Sequence, residues 1–558
     1  VAVTLVSGLW GMLLYERAEG KGGLAAVADA FYHTLQLLVM ESPHLECNIP
    51  LLLHVGRFFG AIFFLALTGL AFARLFPDEW KYIKLRLPWT KNHIVICGLG
   101  DIGTRLAIEG RSNNKFVVAI EKSCPHSKRE SMRKKHVLVL DGDATDVAQL
   151  KEARVHNAEF VVASCLDDGT NVAIAAQVGK LLKSAPARAE QLVCRALIAN
   201  TDTRQLLYSR PELQAQPQYR VNFSDLDQHA LVARKALGDF PLDFKPIRQQ
   251  DDILVRLVLI GFESIGQSLA LQAARIGHFA NAVKYPKRLR LTVVEPQGQT
   301  LENFGNRYPG LREVCELDRV TVSHEHLLLD ELVAIGKQPN ALATFAFCCE
   351  EDEKNYRLAM ELQSRINSSN AQILCHQKTH QSFAALLSDD FFTNQGSRIH
   401  AFGMVEDVVN WKNFLHEDQD KLARALHEDF LKKYPNQHPE WNELSEGLRD
   451  SNRQAADHIE VKLRALGYHS AKPESGKQPI TSFEESDIEL LAQMEHARWC
   501  AERFLAGWIY GPVTDRKNKI NNCLVPWGEL PESEKKKDPE QIAAIPEALR
   551  NVGLGIYR

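Results

Sequence analysis

The chain lacks the short motifs by which many enzymes are read from sequence. It has no HExxH pair for a zinc protease, no Gly-x-Ser-x-Gly turn for a serine hydrolase and no P-loop lysine followed by Ser or Thr. Its 11 cysteines include no Cys-x-x-Cys pair, and the adjacent Cys348 and Cys349 cannot easily bridge to each other. That pattern predicts a reducing compartment and no zinc site. Strong charge of one sign is also missing. A net charge of −4 over 558 residues gives no electrostatic case for a nucleic-acid partner. No methionine opens the chain, which starts inside an apolar run, "VAVTLVSGLWGMLLY", and is expected to lack upstream sequence. The charged start and small-residue cleavage site of a signal peptide are not seen. What is present is the composition of globular domains, 45% hydrophobic and 24% charged, at a length that allows three or four of them.

One long apolar run stands out. Residues 58–76, "FFGAIFFLALTGLAFARLF", approach the ~20 residues that a membrane helix needs. Residues 1–15 are apolar but too short to span alone, and His54 and Arg57 interrupt the stretch before residue 58. Lys81, Lys84, Arg86 and Lys91 follow the run, with Trp80 and Trp89 as interface anchors. The positive-inside rule then puts everything after residue 80 in the cytoplasm. Between the two runs a short apolar helix, 24–40, precedes an irregular polar piece. This layout resembles the two-helix pore module of potassium channels, which implies a multi-pass protein of the bacterial inner membrane with a pore built by a homo-oligomer, a tetramer. A potassium filter, however, is a glycine-containing loop of carbonyls, and no glycine occurs from residue 24 to residue 55. Glu41 is the candidate pore residue, as a ring of carboxylates favouring cations, or else it flanks the loop and meets no ion. A plain membrane anchor is the alternative for the whole segment.

"HIVICGLGDIG", from residue 93, is an apolar strand running into a glycine turn. Gly98, Gly100 and Gly103 make GxGxxG, a helix follows, and a second strand ends at Glu121, 18 residues past Gly103. The glycines allow a tight turn and close approach to phosphate, the helix N-terminus faces the anion, and the acid bonds a ribose hydroxyl. "GDATD" then follows one strand, and Asp168 and Asn171 follow another. This series closely resembles the RCK or TrkA-N domain, the regulator of potassium conductance, over residues 92–240. The resemblance implies a site for NAD(H), ADP or ATP made by Gly98, Gly100, Asp101, Ile102, Gly103, Glu121, Lys122, Asp143, Ala144, Thr145 and Asp168, with Asp143 and Thr145 near the adenosine.

The plan recurs from Ile253. Gly261 and Gly266 match the outer glycines, Glu263 replaces the middle one, and Glu295 matches Glu121. Cys165, Asp168 and Asn171 align with Cys349, Asp352 and Asn355. Four coincidences in register predict an internal duplication. A carboxylate at 263 would repel a pyrophosphate, so the second copy is expected to serve as a dimer scaffold or to take a changed ligand. The acidic cluster from Glu350 to Glu353 is either a solvated loop or a divalent-cation site.

Residues 412–480 read as helix ("DKLARALHEDFLKKY") and then as a linker ("HSAKPESGKQP"). In the helix that follows Ser482, Leu490, Met494, Ala497, Ala501, Leu505 and Trp508 form an apolar stripe. His496, Trp499 and Arg503 form a second face, able to stack on a base and grip a phosphate, or to pack with Arg503 in a structural ion pair. Glu495, His496, Arg498, Trp499, Arg503, Gly507, Trp508, Tyr510, Gly511, Pro526 and Trp527 resemble the signature of the RyR repeat domain, named from ryanodine receptors. Asn522 and Cys523 stand where that family has His-Pro. The resemblance implies a nucleotide-derived signal sensed by Glu495, His496, Arg498, Trp499, Arg503, Trp508, Tyr510 and Trp527, in a domain whose bacterial copies sit beside nucleotide-signalling and phage-defence modules.

The expected architecture is therefore α/β: a transmembrane pore-like segment (1–90), two tandem Rossmann-like RCK domains (91–248 and 249–411), a helical connector (412–480) and a mainly helical RyR-like domain (481–558). No acid–base constellation stands beside the glycine turn, so no catalytic residue is assigned. The expected function is a ligand-gated cation channel set by nucleotides, or a non-conducting nucleotide sensor or transporter subunit.

Overall fold

The computed structural model describes residues 2–39, 41, 49–184, 192–198, 203, 221–283, 289–295, 299–321, 325–366, 368–379, 399–416, 418–435, 437–473 and 476–558. Residues 1–91 with 125–139 form one compact unit, and residues 92–124 with 140–558 form another.

In the first unit, α1 (Ala2–Ala18), α2 (Leu24–Leu38) and α3 (Leu51–Leu75) pack together around Met12, Ala30, Leu37 and Leu53. Among the described residues α3 is the one helix long and apolar enough to cross a membrane, and it is almost wholly exposed. It begins seven residues before the expected run: His54 and Arg57 lie inside the helix, where one charge per two turns does not break the backbone pattern. Pro77 ends it, because proline lacks the N–H that would continue the ladder, and a new helix α4 (Pro77–Arg86) starts there. The α1–α3 contact is backbone against backbone. A Cβ on Gly56 would lie 2.9 Å from the Gly8 Cα, and one on Gly11 would lie 2.6 Å from the Leu53 nitrogen. Small residues at a helix crossing are how helices associate in lipid, where burial of apolar surface gives no drive. Residues 42–48 of the expected pore loop lie outside the described residues. Glu41 is exposed and accepts a hydrogen bond from Gln36 Nε2 at 3.3 Å.

The second unit holds the two parallel sheets. The first contains β1 (His93–Cys97), β2 (Val117–Glu121), β3 (Leu138–Asp141), β4 (Ala158–Ala163), β5 (Leu192–Leu197) and β6 (Val221–Leu226), in the order β3-β2-β1-β4-β5-β6. The second contains β7 (Leu254–Ile260), β8 (Leu289–Val294), β9 (Glu316–Val320), β10 (Ala341–Phe347), β11 (Ala371–His376) and β12 (Ile399–Phe402), in the order β9-β8-β7-β10-β11-β12. The two orders are the same. Central strands such as β1 and β10 are buried along their whole length, as unbroken apolar runs must be when helices cover both faces. The edge strand β9 carries Glu316, Asp318 and Arg319 instead.

The duplication is also visible bond for bond. Asn171 accepts from the Cys165 N–H at 2.8 Å and donates to the carbonyls of Cys165 and Leu197, both at 2.9 Å. Asn355 accepts from the Cys349 N–H at 2.9 Å and donates to the carbonyls of Cys349 at 2.8 Å and His376 at 3.2 Å. Each asparagine clamps the chain leaving the fourth strand of its sheet to the end of the fifth.

After β12 the chain packs back on the first sheet. Trp411 is buried against Gly110 of α5 (Asp101–Ser112) and Phe160 of β4, and its N–H donates to Glu109 at 2.6 Å. Helices Lys421–Lys433, Glu446–Asp457 and Ile459–Ala465 follow. The last two are tied to the Rossmann copies by ion pairs: Arg234 to Asp457 at 2.8 Å, Arg275 to Asp450 at 3.0 Å and Arg464 to Asp243, in the turn after Gln228–Asp239, at 2.8 Å. The segment read as a linker contains a strand, His469–Ala471, paired antiparallel with Gly555–Tyr557 near the end of the chain. The last two long helices, Glu485–Leu505 and Lys537–Asn551, pack on each other.

Two substitutions test this packing. Gly56→Leu forces backbones apart and should destabilise the three-helix unit by about 1–3 kcal/mol, read as earlier proteolysis of α1 in detergent. Asn355→Ala leaves buried groups unbonded and should cost about 2–3 kcal/mol, read as faster amide exchange in β10 and β11.

Candidate functional site

The glycine turn sits where β1 and β4 end side by side and the strand order reverses, the usual crevice of such sheets. Two of its glycines are demanded by the protein itself. Gly98 has φ +95°, and a Cβ there would lie 3.0 Å from the Cys165 nitrogen. A Cβ on Gly103 would collide with the Gly98 carbonyl and lie 2.7 Å from Ser164 Oγ. Gly100 differs. Its backbone is extended, with φ −62°, and the nearest atom to a Cβ is the Ser164 carbonyl oxygen, 3.9 Å away. Among the described residues nothing comes closer to that position, so the missing side chain leaves room for something outside the chain. No side chain caps α5, so its first-turn N–H groups also face that space.

Around this opening the structure gathers most of the residues expected there. The Glu121 carboxylate accepts from the Leu99 N–H at 2.5 Å. The carbonyl of the same residue accepts from Gly142 N–H at 3.1 Å, which brings the β3 loop alongside. Asp143 Oδ1 accepts from the Thr145 hydroxyl at 2.6 Å and N–H at 2.9 Å, while Lys122 Nζ reaches its other oxygen at 2.9 Å. The Thr145 hydroxyl and amide, helped by Lys122, hold the Asp143 carboxyl down at about 2, so it is ionised at neutral pH. Ala144 is buried, Ile102 is half-buried, and Asp101 (exposed) and Asp168 (half-buried) stand at the starts of α5 and α8 (Asp168–Lys183). The cap of α8 is Asp167, which accepts from the Thr170 N–H at 2.7 Å. Sequence reasoning passed over Ser164, whose hydroxyl donates to the Gly98 carbonyl at 3.0 Å and so holds the turn. Burial, with Glu121, Asp143 and Asp167 nearby, raises the Cys165 thiol to about 11 and keeps it protonated.

The second copy keeps the two glycines that packing requires and has lost the one that packing does not. Gly261 has φ +90° and would put a Cβ 2.8 Å from the Cys349 nitrogen; a Cβ on Gly266 would collide with the Gly261 carbonyl. Glu263 occupies the middle position and begins the helix Ser264–Ile276. Partial burial and the neighbouring Glu350 raise its carboxyl above the usual range. Glu295 is buried and accepts from the Leu301 N–H at 3.2 Å, serving its own fold. Among the described residues no group of three or more His, Cys, Asp or Glu could hold a metal ion.

In the C-terminal domain the expected residues divide into two groups. Glu495 and Arg498 lie in the core, with Glu495 accepting from Lys462 at 2.7 Å and from Arg498 at 2.8 Å, and Arg498 reaching Glu502 at 2.8 Å. The buried face of the helix is therefore Leu491, Ala492, Met494, Glu495, Arg498, Ala501, Glu502 and Leu505, whereas Leu490, Ala497 and Trp508 of the expected stripe are only half-buried. His496 is buried too, its Nε2 donating to the Val525 carbonyl at 2.8 Å and its Nδ1 3.6 Å from Asp538. The second group is accessible. Trp499 stacks on His496, and Arg503 lies between two indoles, 5.5 Å from the Trp499 ring and 5.4 Å from the Trp508 ring. Tyr510 is exposed, and Trp527 donates to Glu489 at 2.8 Å.

Burial disfavours a charged His496, but Asp538, Cys500 and the Val525 carbonyl outweigh it and raise the ring to about 10. A folded value raised above the ordinary 6.5 adds stability that is complete below pH 6.5 and lost as pH rises through 10. The melting temperature should fall across that window, and His496→Gln should flatten the fall.

Residues 94–208 match the model of the TrkA-N domain, and residues 480–558 match that of the RyR domain. A curated relative, an uncharacterized protein of Methanothermus fervidus, is 26% identical over 127 residues; the match covers 22% of this chain and about a fifth (20%) of that protein. The structure of GsuK bound to ADP is 17% identical, with a TM-score of 0.37, over 75% of this chain and 96% of that one. The GsuK channel bound to NAD is 14% identical, with a TM-score of 0.37, over 76% and 83%. Residues 94–208, which hold the glycine turn, thus carry a TrkA-N domain, and residues 480–558, which hold Glu495, carry a RyR domain.

Proposed function

We propose that this chain is a membrane-anchored regulator whose TrkA-N domain takes an adenine nucleotide, NAD(H), ADP or ATP, as a signal and whose oligomer opens or closes a cation pathway. The observation that carries the reading is the contrast between the copies. Gly100 is left open, with no atom of the described residues closer than 3.9 Å to where its Cβ would lie, and its counterpart is Glu263. The ligand would lay its phosphates on the start of α5 and a ribose hydroxyl on Glu121, with Asp143 and Thr145 toward the adenosine. Among the described residues beside the turn, the Ser164 hydroxyl is spent on the Gly98 carbonyl and the Cys165 thiol is protonated, which favours a signal over a reagent. The helix α5 also carries the contact to Trp411, so a ligand on its first turn bears on the chain that leaves the second sheet. Such a ligand does gating work only if it binds the two states with different affinity, about tenfold for each 1.4 kcal/mol. The exposed apolar α3 supports the membrane anchor, and four copies with Glu41 ringed about an axis would favour cations. An alarm nucleotide read by the RyR domain would make the protein a defence effector.

A second reading is a non-conducting sensor or transporter subunit. It is favoured by the single qualifying helix among the described residues and by the absence of glycine from residue 24 to residue 55.

Ion flux from liposomes, with nucleotides added on the cytoplasmic side, separates the readings. Gly100→Glu should abolish nucleotide-switched flux and weaken binding at least ~100-fold, by an amount set by charge repulsion and lost phosphate contacts. Gly100→Ala should fold normally, since its Cβ meets no protein atom closer than 3.9 Å. Binding without flux would leave the sensor reading standing.

A further inference from the structure

A cavity of about 380 Å³ lies where three parts of the second unit meet. Leu271, Arg275 and Tyr308 come from the second Rossmann copy, Ser451 from the connector, and Arg503 and Trp508 from the RyR domain. Two guanidinium groups face it, and they are not equivalent. Arg275 is paired with Asp450 at 3.0 Å. The Arg503 Nε is buried without a hydrogen-bond partner, and the nearest carboxylate, Glu502, is 3.7 Å away. Arg503 thus shares one carboxylate with Arg498: its Nη2 lies 3.7 Å from Glu502 Oε1, while Arg498 and Ser451 hold Oε2 at 2.8 Å. Its guanidinium carbon lies over both the Trp499 and the Trp508 rings, which restrains it beside the cavity.

We infer that this cavity binds a nucleoside monophosphate, with the phosphate on the edge of Arg503 and the base beside Trp508 and Tyr308. A planar fork matches phosphate oxygens in a way a point charge does not. The volume sits at the small end of ligand pockets, roughly 300–1,000 Å³, which suits one nucleotide and not a dinucleotide. The walls are held together by close packing: Gly310, just past Tyr308, lies so near the Phe504 carbonyl that any Cβ would collide with it. The inference rests on the reading of the RyR domain as a nucleotide sensor and extends it. The second Rossmann copy supplies one wall of the pocket, Tyr308 with Leu271 and Arg275 of the helix Ser264–Ile276 that begins at Glu263. A copy without the middle glycine would then receive its signal from the opposite end of the same helix.

The test is titration calorimetry on the full chain in detergent with AMP, GMP and inorganic phosphate as probes. A nucleoside monophosphate should bind, and phosphate alone should bind at least ~10-fold more weakly. Arg503→Gln should weaken nucleotide binding ~10- to 100-fold, the range for losing charged hydrogen bonds. Leu271→Trp, which fills the cavity from the Rossmann side, should weaken it as much; Tyr308→Ala replaces it if that variant does not fold. Loss with Arg503→Gln but not with the Rossmann-side variants would overturn the shared pocket and leave sensing by the RyR domain alone. No binding of either nucleotide, or no effect of any variant, would overturn both.

Discussion

Both sheets depend on one close approach. The chain leaving the first strand must pass within van der Waals distance of the chain leaving the fourth, with no room for side chains between them. Gly98 and Gly103 meet this need beside Ser164 and Cys165, and Gly261 and Gly266 meet it beside Cys348 and Cys349. The same backbone bonds recur on each side, from Ser164 N–H to the Cys97 carbonyl at 2.8 Å and from Cys348 N–H to the Ile260 carbonyl at 2.7 Å. The clamps of Asn171 and Asn355 then fix the fourth strand's exit to the fifth strand. With the fold's own demand met by two glycines, the third position is free to vary with the ligand, and it is where the copies part.

The C-terminal domain is organised by a buried carboxylate. Glu495 draws in Lys462 from the connector and Arg498 from its own helix, and Gln541 of the last long helix reaches it at 3.3 Å. Burial works against its charge, but Arg498 and Lys462 outweigh that and hold the carboxyl at about 2. Ions taken out of water gain little net stability over an apolar core, yet removing one partner strands the others. The cluster therefore fixes which helices meet more than how strongly they hold. It also satisfies Arg498 and leaves Arg503, five residues on, without an equal partner.

Much of the first sheet was legible in the sequence, because a glycine turn between a strand and a helix, followed by an acid at the right distance, has few other uses. The repeat was legible for the same reason, as constrained residues at constant spacing. Less could be read where side chains far apart in the chain decide the outcome. The spacing of Glu495, His496, Arg498, Trp499 and Arg503 places them on neighbouring faces of one helix, and only Lys462, Val525 and Asp538 show which of them face inward. The polar stretch around His469 reads as a linker until Gly555–Tyr557 arrives as its strand partner. His54 and Arg57 look like interruptions because hydropathy is additive along the chain, while a helix backbone tolerates them.

By itself the sequence determined the parallel α/β plan, the duplication, the place of the glycine turn and the apolar run that becomes α3. Each of these is a local pattern, written in the period of a strand, the shape of a turn or the length of a helix. The tertiary structure alone decided that Gly100 is open while its neighbours are packed, that Glu495 and Arg498 are internal, and that Arg503 faces a cavity shared with Arg275 and Tyr308. Those facts depend on what lies across a gap from each residue. Contacts between segments hundreds of residues apart have no period for a sequence to display.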